Sequence, residues 1–260
     1  MESSGKAGIR YLMFDSLAGT DVIHAVIARH GGTSPDPWRS LNIGGTVGDD
    51  PHRVRENLRL SVGSFGLDLS SVYDVWQVHG VDVSRATAPR LPGSEHHQAD
   101  IITTNTRGVT LLMRFADCVP IILVDPKTQA IALVHAGWRG TLLGAARRAV
   151  ESLQETYRSN PKDILAGIGP SICARHYEVG LEVVDQARQS LGKLADDFCF
   201  RINGSYHFDL WKANRMALEH AGLEQIEMAN VCTACHSEDW FSHRLSGGKT
   251  GRFGALVAVG

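Results

Sequence analysis

The chain has 260 residues, 43% of them hydrophobic, enough for a sizeable core and compatible with one large unit of helices and strands. A formal net charge of −2 leaves no basic surplus to displace counterions from a phosphodiester backbone, so nucleic acid is not an expected partner. The start MESSGKAGIRYLMF lacks a basic stretch followed by an apolar run, and no later segment reaches the roughly 20 apolar residues that span a bilayer. With an odd count of five cysteines, these features predict a cytoplasmic chain with reduced thiols or metal ligands and no membrane partner.

Residues 1–8 are expected to be flexible. Short apolar runs rich in β-branched residues then predict strands at Val22–Ala28, Val72–Val78, Val109–Phe115, Pro120–Val124, Ala130–His135, Ile164–Ile168, Ile226–Val231 and Phe253–Val259. Because these runs are continuously apolar, the sheets should be covered on both faces. Helical spacing of apolar residues predicts helices at Pro51–Ser64, Thr141–Tyr157, Leu181–Leu191 and Asp209–His220. The stripe Leu142, Leu143, Ala146, Val150 and Leu153 is the clearest of these. The turn chemistry of Asp125–Gln129 makes a hairpin of its flanking strands. No repeat, low-complexity tract or long linker divides 1–260, so a single domain is expected.

Chemistry-bearing residues gather where strands should end. Cys118 lies in Ala116-Asp117-Cys118-Val119-Pro120 between two apolar runs. His135 opens His135-Ala136-Gly137-Trp138-Arg139-Gly140-Thr141, a strand, a glycine-punctuated turn and a helix start. His79 closes Trp76-Gln77-Val78-His79-Gly80. Two imidazoles and one thiolate form a donor set suited to tetrahedral zinc, with the fourth position left for water or substrate. The turn after His135 would also bring free N–H groups and Arg139 to a helix N-terminus, a setting that suits phosphate. The alternatives are ordinary ones: Cys118 as core filler, the two histidines as caps of strand ends, Trp138 as a packing anchor and Arg139 as a surface ion-pair partner. Cys232-Thr233-Ala234-Cys235-His236 matches a c-type haem attachment pattern. Without an export signal, a structural or redox role, or a plain loop, is the better reading.

Taken together, Gln77-Val78-His79-Gly80, Ala116-Asp117-Cys118-Val119-Pro120 and His135-Ala136-Gly137-Trp138-Arg139-Gly140-Thr141 resemble the laccase-domain purine nucleoside phosphorylase family, also known as multicopper polyphenol oxidoreductases. Supporting matches include Ser40-Leu41-Asn42, Tyr177-Glu178-Val179-Gly180, Cys232-Thr233 and Phe241-Ser242-His243-Arg244. The resemblance implies an α+β fold, a layered α/β/β/α sandwich with mixed sheets in a single domain. It implies His79, Cys118 and His135 as zinc ligands, with copper as the alternative metal. It further implies phosphorolysis of adenosine, inosine, guanosine and S-methyl-5'-thioadenosine, with adenosine deamination at the same site, the partners being purine nucleosides and phosphate. Where the family often has arginine after Glu-Asn, this chain has Leu58 after Glu56-Asn57, so Arg55 or Arg59 would have to substitute. Thr33 and Trp240 also depart from the usual pattern.

A bidentate guanidinium suits phosphate, which makes Arg139, Arg244 and then Arg29 the candidates. Asn42 and Gln77 could hydrogen-bond ribose or base without adding charge. Asp117 is a candidate proton shuttle or, equally, a structural acceptor that fixes its loop. The alternatives to a phosphorylase are a copper-dependent phenol oxidase and a catalytically silent zinc-containing protein that binds nucleosides. Either a monomer or a homodimer is compatible with the sequence.

Overall fold

The computed structural model describes residues 3–4 and 8–260, so of the expected flexible stretch 1–8 only Ser3, Ser4 and Gly8 fall within the description. The first half runs β1 (Ser3–Ser4), β2 (Arg10–Leu12), β3 (Val22–Ile27), α1 (Pro51–Gly63), β4 (Val72–Tyr73), β5 (Val83–Arg85), β6 (Ile101–Thr104), β7 (Thr110–Phe115), β8 (Val119–Asp125) and β9 (Ala130–Ala136). Then come α2 (Trp138–Leu143), α3 (Ala145–Tyr157), β10 (Leu165–Ile168), β11 (Glu178–Val179), α4 (Leu181–Leu191), β12 (Cys199–Ile202), β13 (Ser205–Phe208), α5 (Leu210–His220), β14 (Gln225–Met228) and β15 (Phe253–Val259).

Two six-stranded mixed sheets, β1-β2-β3-β15-β7-β4 and β14-β10-β8-β9-β6-β5, stack face to face, and a small antiparallel sheet β11-β13-β12 lies apart from them. The continuous apolar runs follow from this stacking, because alternate side chains of a strand serve two different cores. In β15, Phe253, Ala255 and Val257 enter the core between the sheets, whereas Leu256 joins the core under α1 with Val62. In β8, Ile122 and Val124 face the inter-sheet core, and Val119, Ile121 and Leu123 pack with Val150 and Leu153 of α3. The order of layers is therefore α1, first sheet, second sheet, then the helical layer that includes α3 and α5, which is the expected α/β/β/α sandwich in one α+β domain. Among the described residues no helix is long and apolar enough to cross a membrane.

The hairpin forms as expected. Asp125 pairs with Ala130, and the Asp125 carboxylate accepts from Lys127 N at 2.9 Å and from Thr128 Oγ1 at 2.8 Å. Three elements differ from expectation, one of them only in that the strand expected over Ile226–Val231 ends at Met228. The strand Val72–Val78 stops at Tyr73, because Asp74 turns inward to meet Arg90 and Arg114, and only Trp76 makes a further single bridge, to Gln98. The helix Thr141–Tyr157 begins earlier, at Trp138, and is split in two at Gly144. There the backbone takes φ 85°, a left-handed conformation natural to glycine.

Candidate metal centre and substrate cavity

The chain leaves the first sheet on β7 and enters the second on β8 through a three-residue turn that carries Cys118. Asp117, at φ 80°, has its carboxylate bound on both sides: Oδ1 accepts from Thr233 Oγ1 and Oδ2 from the Arg244 backbone N–H, each at 2.6 Å. Each oxygen of Asp117 thus already accepts one hydrogen bond, the geometry the structural-acceptor reading calls for.

His135 is the penultimate residue of β9, next to β8 in the sheet. His79 sits not at a strand end, as the sequence suggests, but in a loop at φ 63°. The anchor of that loop is Asp100, which sequence reasoning missed. Asp100 Oδ2 accepts from Val78 N at 3.1 Å and Gly80 N at 2.7 Å, while Oδ1 meets His135 Nδ1 at 2.7 Å. With Nδ1 turned to this wholly buried carboxylate, His135 presents Nε2 to Cys118, the carboxylate–histidine arrangement that orients metal-binding imidazoles.

The three donor atoms lie within 4.8 Å of one another, with Cys118 Sγ 3.9 Å from His79 Nε2. A tetrahedral zinc with bonds of about 2.3 Å to sulfur and about 2.0 Å to nitrogen sets such an edge at about 3.5 Å, so Cys118 and His79 need to close by only a few tenths of an ångström. Gly137 completes the enclosure: a Cβ there would stand 3.0 Å from both Cys118 Sγ and His79 Cδ2. Burial opposes ionisation of the Cys118 thiol, yet the neighbouring His135 and His79 outweigh it and draw the thiol down to about 6. Burial likewise opposes the charge on His135, but the Cys118 sulfur and Asp100 carry the imidazole up to about 9. The pair is thus a thiolate and an imidazolium near neutral pH, primed to exchange a proton for a metal.

A cavity of about 530 Å³ opens beside the three donors, a size suited to a small organic ligand. Of the predicted binding residues only Gln77 lines it, and its amide is committed to the backbone of Arg114, donating to O at 2.8 Å and accepting from N at 2.9 Å. Arg29 is spent elsewhere, on the carbonyls of Arg39 and Ser237 and the face of Phe241. Asn42 is fully buried and braces Gly44, Asp49 and Arg252 N. Arg139 is exposed and stacks on Trp138, and Arg244 lies over Tyr177 and donates to Glu178 O. Arg55 and Arg59 are exposed on α1, and Arg59 is tied to Glu56. The arginines on the cavity wall are instead Arg114 and Arg252, with His96, His243 and Trp76 nearby. Arg114 is neutralised by Asp74 at 2.8 Å. Arg252 donates only to the carbonyls of Thr250 and Gly251 and has no carboxylate partner among the described residues.

Known proteins are similar to this chain in sequence and in fold. The family model described as multi-copper polyphenol oxidoreductase laccase matches residues 23–260. The chain belongs to that family. It is 36% identical over 239 residues to a purine nucleoside phosphorylase of Deinococcus radiodurans, covering 92% of this chain and 89% of the relative. It is 36% identical over 248 residues to the purine nucleoside phosphorylase YlmD of Bacillus subtilis, with the same coverage. The crystal structure of YlmD from Geobacillus stearothermophilus superposes with a TM-score of 0.90 at 34% identity, covering 100% of this chain and 97% of that one.

All five cysteines are unpaired. Three of them belong to a second Cys/His group: Cys173, His176, Cys232 and Cys235 place their donor atoms within 4.8 Å of one another. His236, the histidine of the haem-like pattern, is not among them and faces Glu238 instead.

Proposed function

We propose that the chain is a zinc-dependent purine nucleoside phosphorylase acting on adenosine, inosine, guanosine and S-methyl-5'-thioadenosine, with adenosine deamination at the same site. The observation that carries this reading is the adjacency of an incomplete donor set, His79, Cys118 and His135, to a cavity walled by an arginine with no carboxylate partner among the described residues. The donors fit zinc in type and spacing, and His79, Cys118 and His135 would hold a zinc ion that would supply a Lewis acid to both reactions.

The chain's own residues do the rest. Phosphorolysis joins a phosphate oxygen to C1' of the ribose as the glycosidic C–N bond breaks, so the phosphate must be held close to the sugar. Arg252 is the residue for that task, because its charge faces the cavity without a competing carboxylate. This assignment replaces Arg139, Arg244 and Arg29, none of which lines the cavity. Burial and the nearby Arg252 hold His243 below the usual imidazole range, so it is a neutral hydrogen-bond partner for base or ribose near neutral pH. Trp76, Val75, Ile43 and Val54 supply apolar surface against which a purine ring can lie. Copper-dependent phenol oxidation needs several copper centres acting together, whereas the Cys/His groups among the described residues hold three histidines in two separate places.

The test is a product analysis of zinc-loaded protein with adenosine, in phosphate and in phosphate-free buffer. Adenine and ribose-1-phosphate should form only with phosphate, and both should vanish in Cys118→Ala. Inosine should form in either buffer. Arg252→Ala should raise KM for phosphate about tenfold or more while leaving bound zinc unchanged. No product from fully zinc-loaded protein would refute the assignment.

A further inference from the structure

The second Cys/His group lies where two loops meet. Residues 169–177 follow β10, and 229–236 follow β14, the strand beside β10 in the sheet. The loops already pair through a bridge between Ser171 and Cys232, with Ser171 N donating to Val231 O and Thr233 N donating to Ser171 O. Each loop contributes two donors at a spacing of three: Cys173 and His176 from one, Cys232 and Cys235 from the other. That is the spacing of closed structural zinc sites.

We propose that Cys173, His176, Cys232 and Cys235 bind a structural zinc ion. His176 Nδ1 stands 3.4 Å from Cys173 Sγ, 3.5 Å from Cys235 Sγ and 3.8 Å from Cys232 Sγ. The edge between sulfur and nitrogen in a tetrahedral zinc site is about 3.5 Å, from bonds of about 2.3 Å and 2.0 Å, so all three distances match it within about 0.3 Å. The buried sulfur, Cys232, accepts from Cys173 N at 3.3 Å, the N–H-to-sulfur contact that steadies a thiolate. Arg175 is close enough to Cys235 to offset part of the net negative charge that three thiolates leave on a zinc ion. Cys235 and His176 are exposed, which gives the metal a way in.

With four protein donors this site is closed and supplies no open position for substrate, unlike the three-donor centre. What it holds is the neighbouring loop geometry. Thr233, next to Cys232, donates to Asp117, and Ile172, next to Cys173, donates its N–H to the carbonyl of Asp117, which precedes Cys118. The proposed ion therefore pins, from behind, the turn that carries the thiolate of the first centre.

The experiment is a metal count on purified full-length chain by plasma mass spectrometry, with a cobalt-substituted sample read by absorption. Wild type should carry two zinc ions, and Cys118→Ala should keep one. Cobalt in Cys118→Ala should give the intense thiolate charge-transfer and visible bands of a tetrahedral site with three sulfurs. Cys173→Ser/Cys235→Ser should lose one zinc and exchange the amides of 171–177 and 231–236 at least tenfold faster. Since Cys118→Ala leaves this cluster intact, its metal content decides the matter even if the double variant does not fold. One zinc in wild type and none in Cys118→Ala, with Cys173, Cys232 and Cys235 recovered as free thiols or a disulfide, overturns the proposal. One zinc in both supports it and counts instead against the first centre, so the two readings fail separately.

Discussion

In the proposed first centre, Asp100 holds His135 and the His79 loop without being a donor itself, and Asp100→Asn is the sharpest perturbation of it. Asparagine keeps an oxygen for His135 Nδ1 but sets an NH2 group opposite the N–H groups of Val78 and Gly80, which now meet a donor. Each N–H that loses its acceptor costs about 1–3 kcal/mol when buried, and Val78 and His79 of this loop are exposed, so the lower end applies. Loss of such a supporting partner typically weakens metal binding by about 10–100-fold, which is about 1.4–2.8 kcal/mol and agrees with the hydrogen-bond cost. The assay is the zinc concentration that half-protects Cys118 from alkylation, read by mass spectrometry of its peptide, so that the second cysteine cluster does not interfere. A shift of less than about threefold, in a variant with an unchanged melting temperature, would refute the claim that Asp100 sets the ligand geometry.

The ionisation of the metal-free site has a measurable consequence. With Cys118 near 6 and His135 near 9, zinc binding close to neutral pH displaces about one proton, from His135, and a second from Cys118 below its own pKa. Calorimetry of wild type against Cys118→Ala in buffers of different ionisation enthalpy measures it, and no difference in proton release would contradict the thiolate–imidazolium pair. Gly137→Ala should fold normally, since Gly137 has an ordinary φ of −78°, yet lose zinc at the first centre because the added methyl meets Cys118 and His79. Equal zinc contents in that variant and wild type would show that the ligands can yield. Asp74 is pushed up by burial but carried lower overall by Arg114 and Arg90. Its contribution, about 1–3 kcal/mol at these partly exposed partners, is complete above the unfolded carboxyl pKa of about 3.9 and lost as pH falls through the lower folded value. Denaturation of wild type and Asp74→Asn should therefore differ by a constant amount above about pH 5 and converge below about pH 4.

The sandwich was legible because its central strands are buried on both faces and so read as unbroken apolar runs; β15 lies where Phe253–Val259 predicts it. Short edge strands such as β5 and β11, three and two residues long, carry no such run and were invisible. The donor set of the first centre showed itself through residue type and turn punctuation. Asp100 did not, because a lone acidic residue before a short strand carries no periodic signal. The arginines of the cavity wall were hidden for a related reason: Arg139 and Arg244 belong to recognisable motifs but do not line the cavity, whereas Arg114 is set by the alternation of β7, which places it on the Leu112 face, away from the inter-sheet core. For the second cluster a signal did exist. Cys173-x-x-His176 repeats the spacing of Cys232-x-x-Cys235, and pairing the two across the intervening 55 or so residues would have found it.

The place of β15 also bears on how the molecule is made. β15 pairs with β3 on one side and β7 on the other, so Ile27 waits for Gly254 before its strand has a neighbour there. A chain emerging from the ribosome has synthesised His79, Cys118 and His135 long before this strand exists, and Arg252 arrives only with it. Through that interval the facing edges of β3 and β7 are open templates for strand addition, the condition in which nascent chains pair with one another or are held by chaperones.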